Sequence, residues 1–220
     1  MVERVRHGLG TTGEERAALA RLTGPERIQQ FLDSIAYSAD PFYRSPRTVL
    51  RDRKAHCFDG ALFAAAAFAR LGRPPLLLDL RAVRDDDHVL AVFRRGRHLG
   101  AVAKSNFVGL RFREPIFRNL RELALSYFED FYNVDGEKTL RSYSRLVDLR
   151  AFRFDWTTCD QRLDAIAERL DAARHVRLLD AAQERALCRT DERSYAAGML
   201  GVNSAGLYRP ESALARGRPA

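Results

Sequence analysis

Two residue types that cooperate in nucleophilic catalysis stand 31 residues apart in this chain, namely Cys57 and His88. A cysteine thiolate attacks the carbonyl carbon of an amide or ester. An imidazole within reach of the sulfur removes the thiol proton and later delivers it to the leaving group. The chemistry expected of such a pair is hydrolysis or transfer of an acyl group, provided that the fold brings the two side chains together.

Cys57 begins a strongly predicted helix over residues 57–72. This segment is rich in alanine and apolar on nearly all sides, which indicates a helix buried by several neighbours. The backbone N–H groups at a helix N-terminus favour a thiolate, and those of Cys57 and Phe58 are candidate donors to an oxyanion. Arg53 and Lys54 lie just before this point and would favour either a thiolate or an anionic substrate. The alternative is a small buried residue that merely begins a helix.

His88 follows three aspartates and begins a predicted strand over residues 88–93. The start of a strand lies at a sheet edge, where an imidazole can face the end of a helix that packs on the sheet. A surface histidine is the alternative interpretation. His56 adjoins Cys57 but is expected to point elsewhere if the helix begins at Cys57. The remaining histidines have weaker claims: His7, His98 and His175.

A third side chain is needed to orient the imidazole. The next predicted strand, residues 98–103, runs into Ser105 and Asn106. Either the Asn106 amide or the Ser105 hydroxyl is a candidate, and the alternation of the strand does not separate them. A simple role for Asn106 as a turn residue explains its position equally well.

The elements around these residues predict a mixed architecture. Three short antiparallel strands are expected over 76–83, 88–93 and 98–103. A helix with Thr23 as its N-cap and Glu26 completing a capping box is expected to bury one face. Further helices are expected over residues 116–132, 160–173 and 178–188.

The region from residue 42 to residue 106 resembles the transglutaminase-like proteins. The similarity lies in the basic loop before Cys57, in the alanine-rich helix that ends in Leu71-Gly72-Arg73-Pro74, and in the position of His88. This resemblance implies a papain-like core, in which a Cys-bearing helix packs on an antiparallel sheet that supplies a histidine and an acid. It also implies an upstream aromatic donor to the oxyanion, for which Tyr43 is the candidate.

The resemblance implies an α+β fold with a buried Cys-bearing helix on a small antiparallel sheet, and the apolar spacing beyond it predicts a helical C-terminal extension. The expected organisation is an N-terminal segment over 1–22, a transglutaminase-like core over 23–145 and the extension over 146–220. The sequence departs from the family where Asn106 or Ser105 stands in place of the usual aspartate. Two functions therefore stay open: a cysteine hydrolase or acyltransferase, and a catalytically degenerate binding module.

The formal net charge of +8 is made up of 34 arginines and 3 lysines against 29 acidic residues. The arginines occur in every segment without a recognisable nucleic-acid-binding motif, so a compositional bias explains them better than a nucleic-acid partner. We expect a peptide, amide or ester substrate, with an acidic or phosphorylated ligand as a further option at the basic loop.

Three widely spaced cysteines, Cys57, Cys159 and Cys188, exclude a disulfide framework, and no metal-binding or nucleotide-binding motif is present. We expect no metal and no cofactor. No apolar run has the length of about 20 residues that a membrane span needs. The first sixteen residues lack the apolar core of a secretion signal, so a cytoplasmic protein with reduced thiols is expected.

Overall fold

The computed structural model describes residues 12–208, which form a mixed α+β fold. Eight α-helices occur in this part of the chain. The bounds of the first four are α1 Gly13–Ala20, α2 Pro25–Asp33, α3 Pro46–Asp52 and α4 Cys57–Arg70; those of the last four are α5 Leu120–Leu125, α6 Asp164–Asp171, α7 Ala181–Arg185 and α8 Glu192–Gly198.

The main sheet is antiparallel and has the strand order β6-β5-β4-β3-β7-β9, with β8 also paired to β3. A separate parallel pair joins β1 to β2. The strand bounds are β1 Ala36–Tyr37, β2 Lys54–Ala55, β3 Leu76–Ala82, β4 His88–Arg95, β5 His98–Val102, β6 Arg113–Phe117, β7 Leu140–Ser144, β8 Val147–Asp148 and β9 His175–Arg177.

Strand β4 separates two hydrophobic cores, because its successive side chains point to opposite faces of the sheet. Val89 and Ala91 belong to the core that contains α4, whereas Leu90 and Val92 belong to the core on the other face. Helix α4 is buried along nearly its whole length, as the sequence predicts. The Cys-bearing helix therefore packs against the strand that begins at His88, and the first residue of α4 lies near the start of β4.

Gly60 allows the chain after β5 to approach α4 closely. A Cβ atom at this position would overlap the Cβ of Lys104, so no larger residue fits without a shift of one backbone. The buried Lys104 ammonium donates to the carbonyls of Leu32, at 2.8 Å, and Ile35, at 2.6 Å, just at the end of α2. Burial lowers the pKa of Lys104 to about 8. This packing fixes the first turn of α4 relative to β5 and α2.

The three central strands and the Cys57 helix confirm the sequence prediction to within two residues at each end. The long helix expected over 116–132 was wrong: β6 extends to Phe117 and only Leu120–Leu125 is α-helical. The N-cap of α2 is Gly24 rather than Thr23, and no capping side chain is bonded there.

The predicted C-terminal extension, residues 146–220, contains α6, α7 and α8 but also supplies β8 and β9 to the main sheet. Residues 1–11 of the predicted N-terminal segment, which include His7, and residues 209–220 of the extension lie outside the described part of the chain. No helix in the described range 12–208 has the length and apolar character needed to cross a membrane.

Candidate active site

The N-terminus of α4 is held by a buried carboxylate one turn into the helix. Asp59 accepts hydrogen bonds from the backbone N–H of His56, at 3.0 Å, and of Arg44, at 2.9 Å. Burial raises the pKa of Asp59, and the two N–H donors oppose that shift. Asp59 thus ties the loop that precedes Cys57 to the helix that Cys57 begins.

Cys57 is the first residue of α4 and is buried, with 4% of its surface exposed. Its Sγ lies 3.4 Å from Nδ1 of His56 and 3.8 Å from the carbonyl oxygen of Asp87. The expectation that His56 points away from Cys57 was wrong. His56 is the N-cap residue and has an extended backbone; its ring lies beside the thiol.

His88 is buried at the start of β4, as predicted. Its Nε2 lies 2.7 Å from the carbonyl oxygen of Leu110. Because a carbonyl only accepts, Nε2 carries the hydrogen, and Nδ1 is the basic atom of the neutral ring. The rings of Tyr127 and Phe131 lie edge-on to the imidazole at centroid distances of 6.4 and 6.3 Å. The imidazole is therefore held both in its plane and in its tautomer.

Cys57 and His88 line the same small cavity, of about 40 Å³. Its wall also includes the turn before β4, the chain after β5 and the residues Gly206 and Tyr208 from the C-terminal region. Both predicted catalytic residues therefore line one cavity, but they enter it from different sides of the sheet. The His88 ring packs on Tyr127 and Phe131, which belong to the core on the face away from α4, and no hydrogen bond among the described residues joins it to Cys57 Sγ.

The two candidates for the orienting group also line this cavity, but their hydrogen bonds go to backbone groups of Phe107 and Asn203. Ser105 Oγ accepts from the N–H of Phe107 at 3.0 Å. The Asn106 amide accepts from the N–H of Asn203 at 2.9 Å and donates to the Asn203 carbonyl at 3.0 Å. The contact seen at His88 Nε2 is the Leu110 carbonyl. An orienting role for Asn106 or Ser105 stays a prediction.

A second and much larger cavity, of about 540 Å³, lies on the other side of Cys57. Seven aspartates line it, and none of its described lining residues is lysine or arginine. In a chain with 34 arginines this separation of charge is pronounced. The aspartates are Asp40, Asp79, Asp86, Asp87, Asp160, Asp164 and Asp171.

The basic residues before Cys57 have local partners. Lys54 Nζ donates to Asp40 at 2.9 Å, while Arg53 donates to Ser34 and stacks on the Phe31 ring at 4.6 Å. Hydrogen bonds from Lys54 and Arg44 lower the pKa of Asp40 to about 2. The predicted binding of substrate by Arg53 and Lys54 stays a prediction.

Tyr43 lines the large cavity together with Cys57 and Phe58. Its ring packs on Phe58 with a centroid distance of 4.5 Å. The N–H groups of Cys57 and Phe58 belong to the first turn of α4, whose donors have no acceptor within the helix. These positions are compatible with the predicted oxyanion role, which the structure does not test further.

The turn before His88 contains a carboxyl group in an unusual environment. Asp85 accepts from Thr139 Oγ1 at 2.8 Å and from the N–H of Asp86 at 2.9 Å. Burial raises the pKa of Asp85 to about 7. Asp87 fixes the other side of the turn by accepting from the N–H of Ala82 at 2.8 Å. These bonds position the strand start that carries His88.

Three aspartates on the wall of the large cavity have metal-ligating chemistry, and one of them, Asp79, also contacts a histidine. Asp79, which is buried, accepts from His175 Nε2 at 2.9 Å, and His175 Nδ1 lies 2.7 Å from the Ala173 carbonyl. One carboxylate oxygen each from Asp79, Asp87 and Asp171 lies within 4.8 Å of the others. Sequence spacing gave no signal for this group, because its members come from β3, the β4 turn and α6.

Comparison with solved structures finds Legionella pneumophila LapG, 16% identical over 50% of this chain and 75% of that chain, with a TM-score of 0.36. The EGTA-treated form of Legionella pneumophila LapG is 14% identical over 77% of this chain and 97% of that chain, with a TM-score of 0.40. No family model matches the chain, and no curated protein matches it.

Proposed function

We propose that this chain is a cysteine-dependent hydrolase or acyltransferase of transglutaminase-like type that acts on an amide or ester bond. The observation that carries the proposal is the convergence of Cys57, at the N-terminus of a buried helix, and His88, with its tautomer fixed by Leu110, on one cavity. Convergence of a nucleophile and an oriented base is the arrangement that covalent acyl transfer requires.

In the proposed reaction, His88 Nδ1 takes the proton of Cys57 as the sulfur adds to the carbonyl carbon. The N–H groups of the first turn of α4 stabilise the oxyanion, with Tyr43 as a further candidate donor. The His88 imidazolium then protonates the departing amine or alcohol, leaving a thioester on Cys57. Attack by water or by an acceptor amine releases the acyl group and restores the thiol.

The closer imidazole in the structure is that of His56, which gives a competing assignment of the base. We favour His88 because a hydrogen bond and two aromatic edges fix its ring. Its longer separation from Cys57 Sγ does not argue against this role, since catalytic hydrogen bonds are often long without substrate and tighten when substrate binds. The distinction is tested by matched glutamine variants at the two positions.

The lining of the large cavity supports a substrate that carries positive charge beside the scissile bond. Basic side chains offset part of the charge of the seven carboxyl groups, because Asp40 is paired with Lys54 and Arg44, and Asp87 and Asp171 each lie 4.0 Å from Arg81. The acidic groups still outnumber these three cations, so the cavity keeps a negative potential, which a low-dielectric wall concentrates. This feature favours a cationic group over the acidic or phosphorylated ligand that the basic loop suggested, because Lys54 is already paired with Asp40.

The experiment that tests the proposed function uses p-nitrophenyl acetate as a generic acyl donor. We expect release of nitrophenolate together with an acetyl adduct that mass spectrometry locates on Cys57, and loss of both in Cys57→Ala. Acylation that spreads equally over Cys159 and Cys188, both exposed, would contradict the proposal.

A catalytically degenerate binding module is the second candidate. The observation that favours it is that the Asn106 amide binds the backbone of Asn203. Among the contacts described, no side chain then takes the orienting role at His88 that an aspartate has in the family. A protein of this kind would retain a fold of the same stability in Cys57→Ala while showing no acyl adduct with any donor.

A further inference from the structure

The amide of Asn106 binds the backbone of a distant residue in the manner in which a side chain binds an extended peptide. It accepts from the N–H of Asn203 and donates to the carbonyl of the same residue, at 2.9 and 3.0 Å. These two bonds connect positions 97 residues apart in sequence. Paired bonds to a single backbone unit recognise main chain rather than any particular side chain.

Asn203 is extended and caps a single 3-10 turn, Ser204–Gly206, that lies in the same groove. We name residues 203–208 the tail segment. Asn203 Nδ2 donates to the carbonyl of Tyr37 at 3.4 Å, and Gly206 packs against the Tyr37 ring. A Cβ atom at Gly206 would lie 2.7 Å from Tyr37 Cε1 and 3.2 Å from Asn106 Nδ2, so the tail segment fits this groove only with glycine at that point.

The tail segment ends at the proposed catalytic residues. Gly206 and Tyr208 line the small cavity into which Cys57 and His88 open. Upstream, the chain is held mainly by contacts to backbone: the Tyr132 hydroxyl donates to the Ser194 carbonyl at 3.1 Å and the Tyr195 hydroxyl to the Val134 carbonyl at 2.8 Å. Helix α8 contributes no buried residue to the core. The attachment is therefore of the kind that opens locally at low free-energy cost.

We propose that the groove between Tyr37 and Asn106 is a binding site for a peptide backbone that is extended where Asn106 binds it, and that the chain's own tail segment occupies this groove and covers the His88 side of the Cys57 cavity. The occupant is intramolecular, and an extended peptide substrate would compete for the same bonds. This inference rests on the proposed function only in taking a substrate to lie across Cys57, with its cationic part in the large cavity and its backbone on the Asn106 side.

Two substitutions release the tail segment from opposite sides of the groove. Asn106→Ala removes both bonds to Asn203, whereas Gly206→Ala places a methyl group against Tyr37. The matched control is Gly13→Ala, since a Cβ at Gly13 meets nothing within 4 Å. The measurements are hydrogen exchange of the Asn203 amide and the rate at which a bulky maleimide modifies Cys57, with Cys159 and Cys188 as internal references.

Both variants are expected to raise the exchange of the Asn203 amide and the relative labelling of Cys57 by roughly tenfold, the order expected for loss of one or two hydrogen bonds. Gly13→Ala should behave as the parent protein. Faster exchange with unchanged labelling of Cys57 would overturn the proposal, and so would unchanged exchange in both variants.

Failure of the proposed function has a different signature. A chain that forms no acyl adduct can still show faster labelling when the tail segment is released, because labelling reports access to the thiol rather than turnover. If Asn106 instead orients His88, Asn106→Ala would slow the labelling of Cys57 while Gly206→Ala would leave it unchanged.

Discussion

The Sγ atom of Cys57 lies 3.4 Å from Nδ1 of His56, the residue that precedes it in the chain. The second imidazole at the site, that of His88, reaches the same cavity from the start of β4 and is held by the Leu110 carbonyl. The thiol thus has one imidazole in contact and a second on the wall of the same cavity, and the roles of the two are testable with simple reagents.

The roles of the two histidines are separated by glutamine variants. Gln keeps a side-chain N–H that can donate to the Leu110 carbonyl but lacks a basic nitrogen. We expect His88→Gln to lower the rate of acylation by p-nitrophenyl acetate by about 100-fold or more, the usual contribution of a general base. His56→Gln should lower it by less than about tenfold. The reverse order would assign the base to His56.

The acidic cavity predicts that Cys57 reacts faster with cationic than with anionic thiol reagents. A trimethylammonium-bearing methanethiosulfonate should modify Cys57 roughly tenfold faster than a sulfonate-bearing one of similar size, because local potential of several kT concentrates the cation. Added salt should reduce the ratio. The double variant Asp164→Asn/Asp171→Asn, on α6, should reduce it as well, whereas Asp135→Asn, remote from the cavity, should not. Equal rates for the two reagents in the parent protein would refute the charge argument.

The pKa of Asp85, which burial raises to about 7, makes stability depend on pH. The native state holds this proton more tightly than the unfolded chain, so the free energy of unfolding falls as pH rises from about 4 to about 7. Asp85→Asn retains an N–H toward Thr139 and does not titrate. We expect it to be more stable than the parent protein at pH 8 by on the order of 4 kcal/mol, and nearly equal at pH 4.

Urea unfolding at the two pH values measures this difference, with Asp135→Asn as the exposed control. A constant offset between Asp85→Asn and the parent protein at both pH values would show that Asp85 does not titrate in this interval.

The close approach at Gly60 predicts a large loss of stability on a small substitution. Gly60→Ala forces a methyl group onto the Cβ of Lys104 and should lower the free energy of unfolding by about 3 kcal/mol, in the range of core overpacking. Gly13→Ala, which has open space, should change it by less than about 0.5 kcal/mol. Equal urea midpoints for the two variants would show that the contact is relaxed at little cost.

Local sequence patterns were sufficient for the core that carries the site. The alanine-rich run predicts the α4 helix, and the short apolar runs around Val89 and Ala101 predict neighbouring strands, so the packing of the Cys-bearing helix on the strand that begins at His88 follows from order and spacing. The pairing of the two side chains stays a prediction. The position of the His56 ring was missed because it depends on the extended backbone at the N-cap, which spacing does not encode.

The acidic cavity and the docking of the tail segment were not accessible from the sequence for a different reason. Asp79, Asp87 and Asp164 are far apart in the chain, and only the folded sheet and α6 bring them to one wall. The bonds between Asn106 and Asn203 likewise span 97 residues. Net charge pointed the other way, since it sums over the whole chain, whereas seven of the 29 acidic residues are gathered at one cavity.

The most direct measurement of the central claim is the rate at which iodoacetamide alkylates each of the three cysteines near pH 7, followed by mass spectrometry. Cys57 is buried, whereas Cys159 and Cys188 are exposed. If the helix N-terminus and the adjacent imidazoles activate Cys57, it reacts faster than both exposed thiols despite its burial. Alkylation of Cys57 at or below the rate of Cys159 and Cys188 would contradict an activated nucleophile and with it the proposed function.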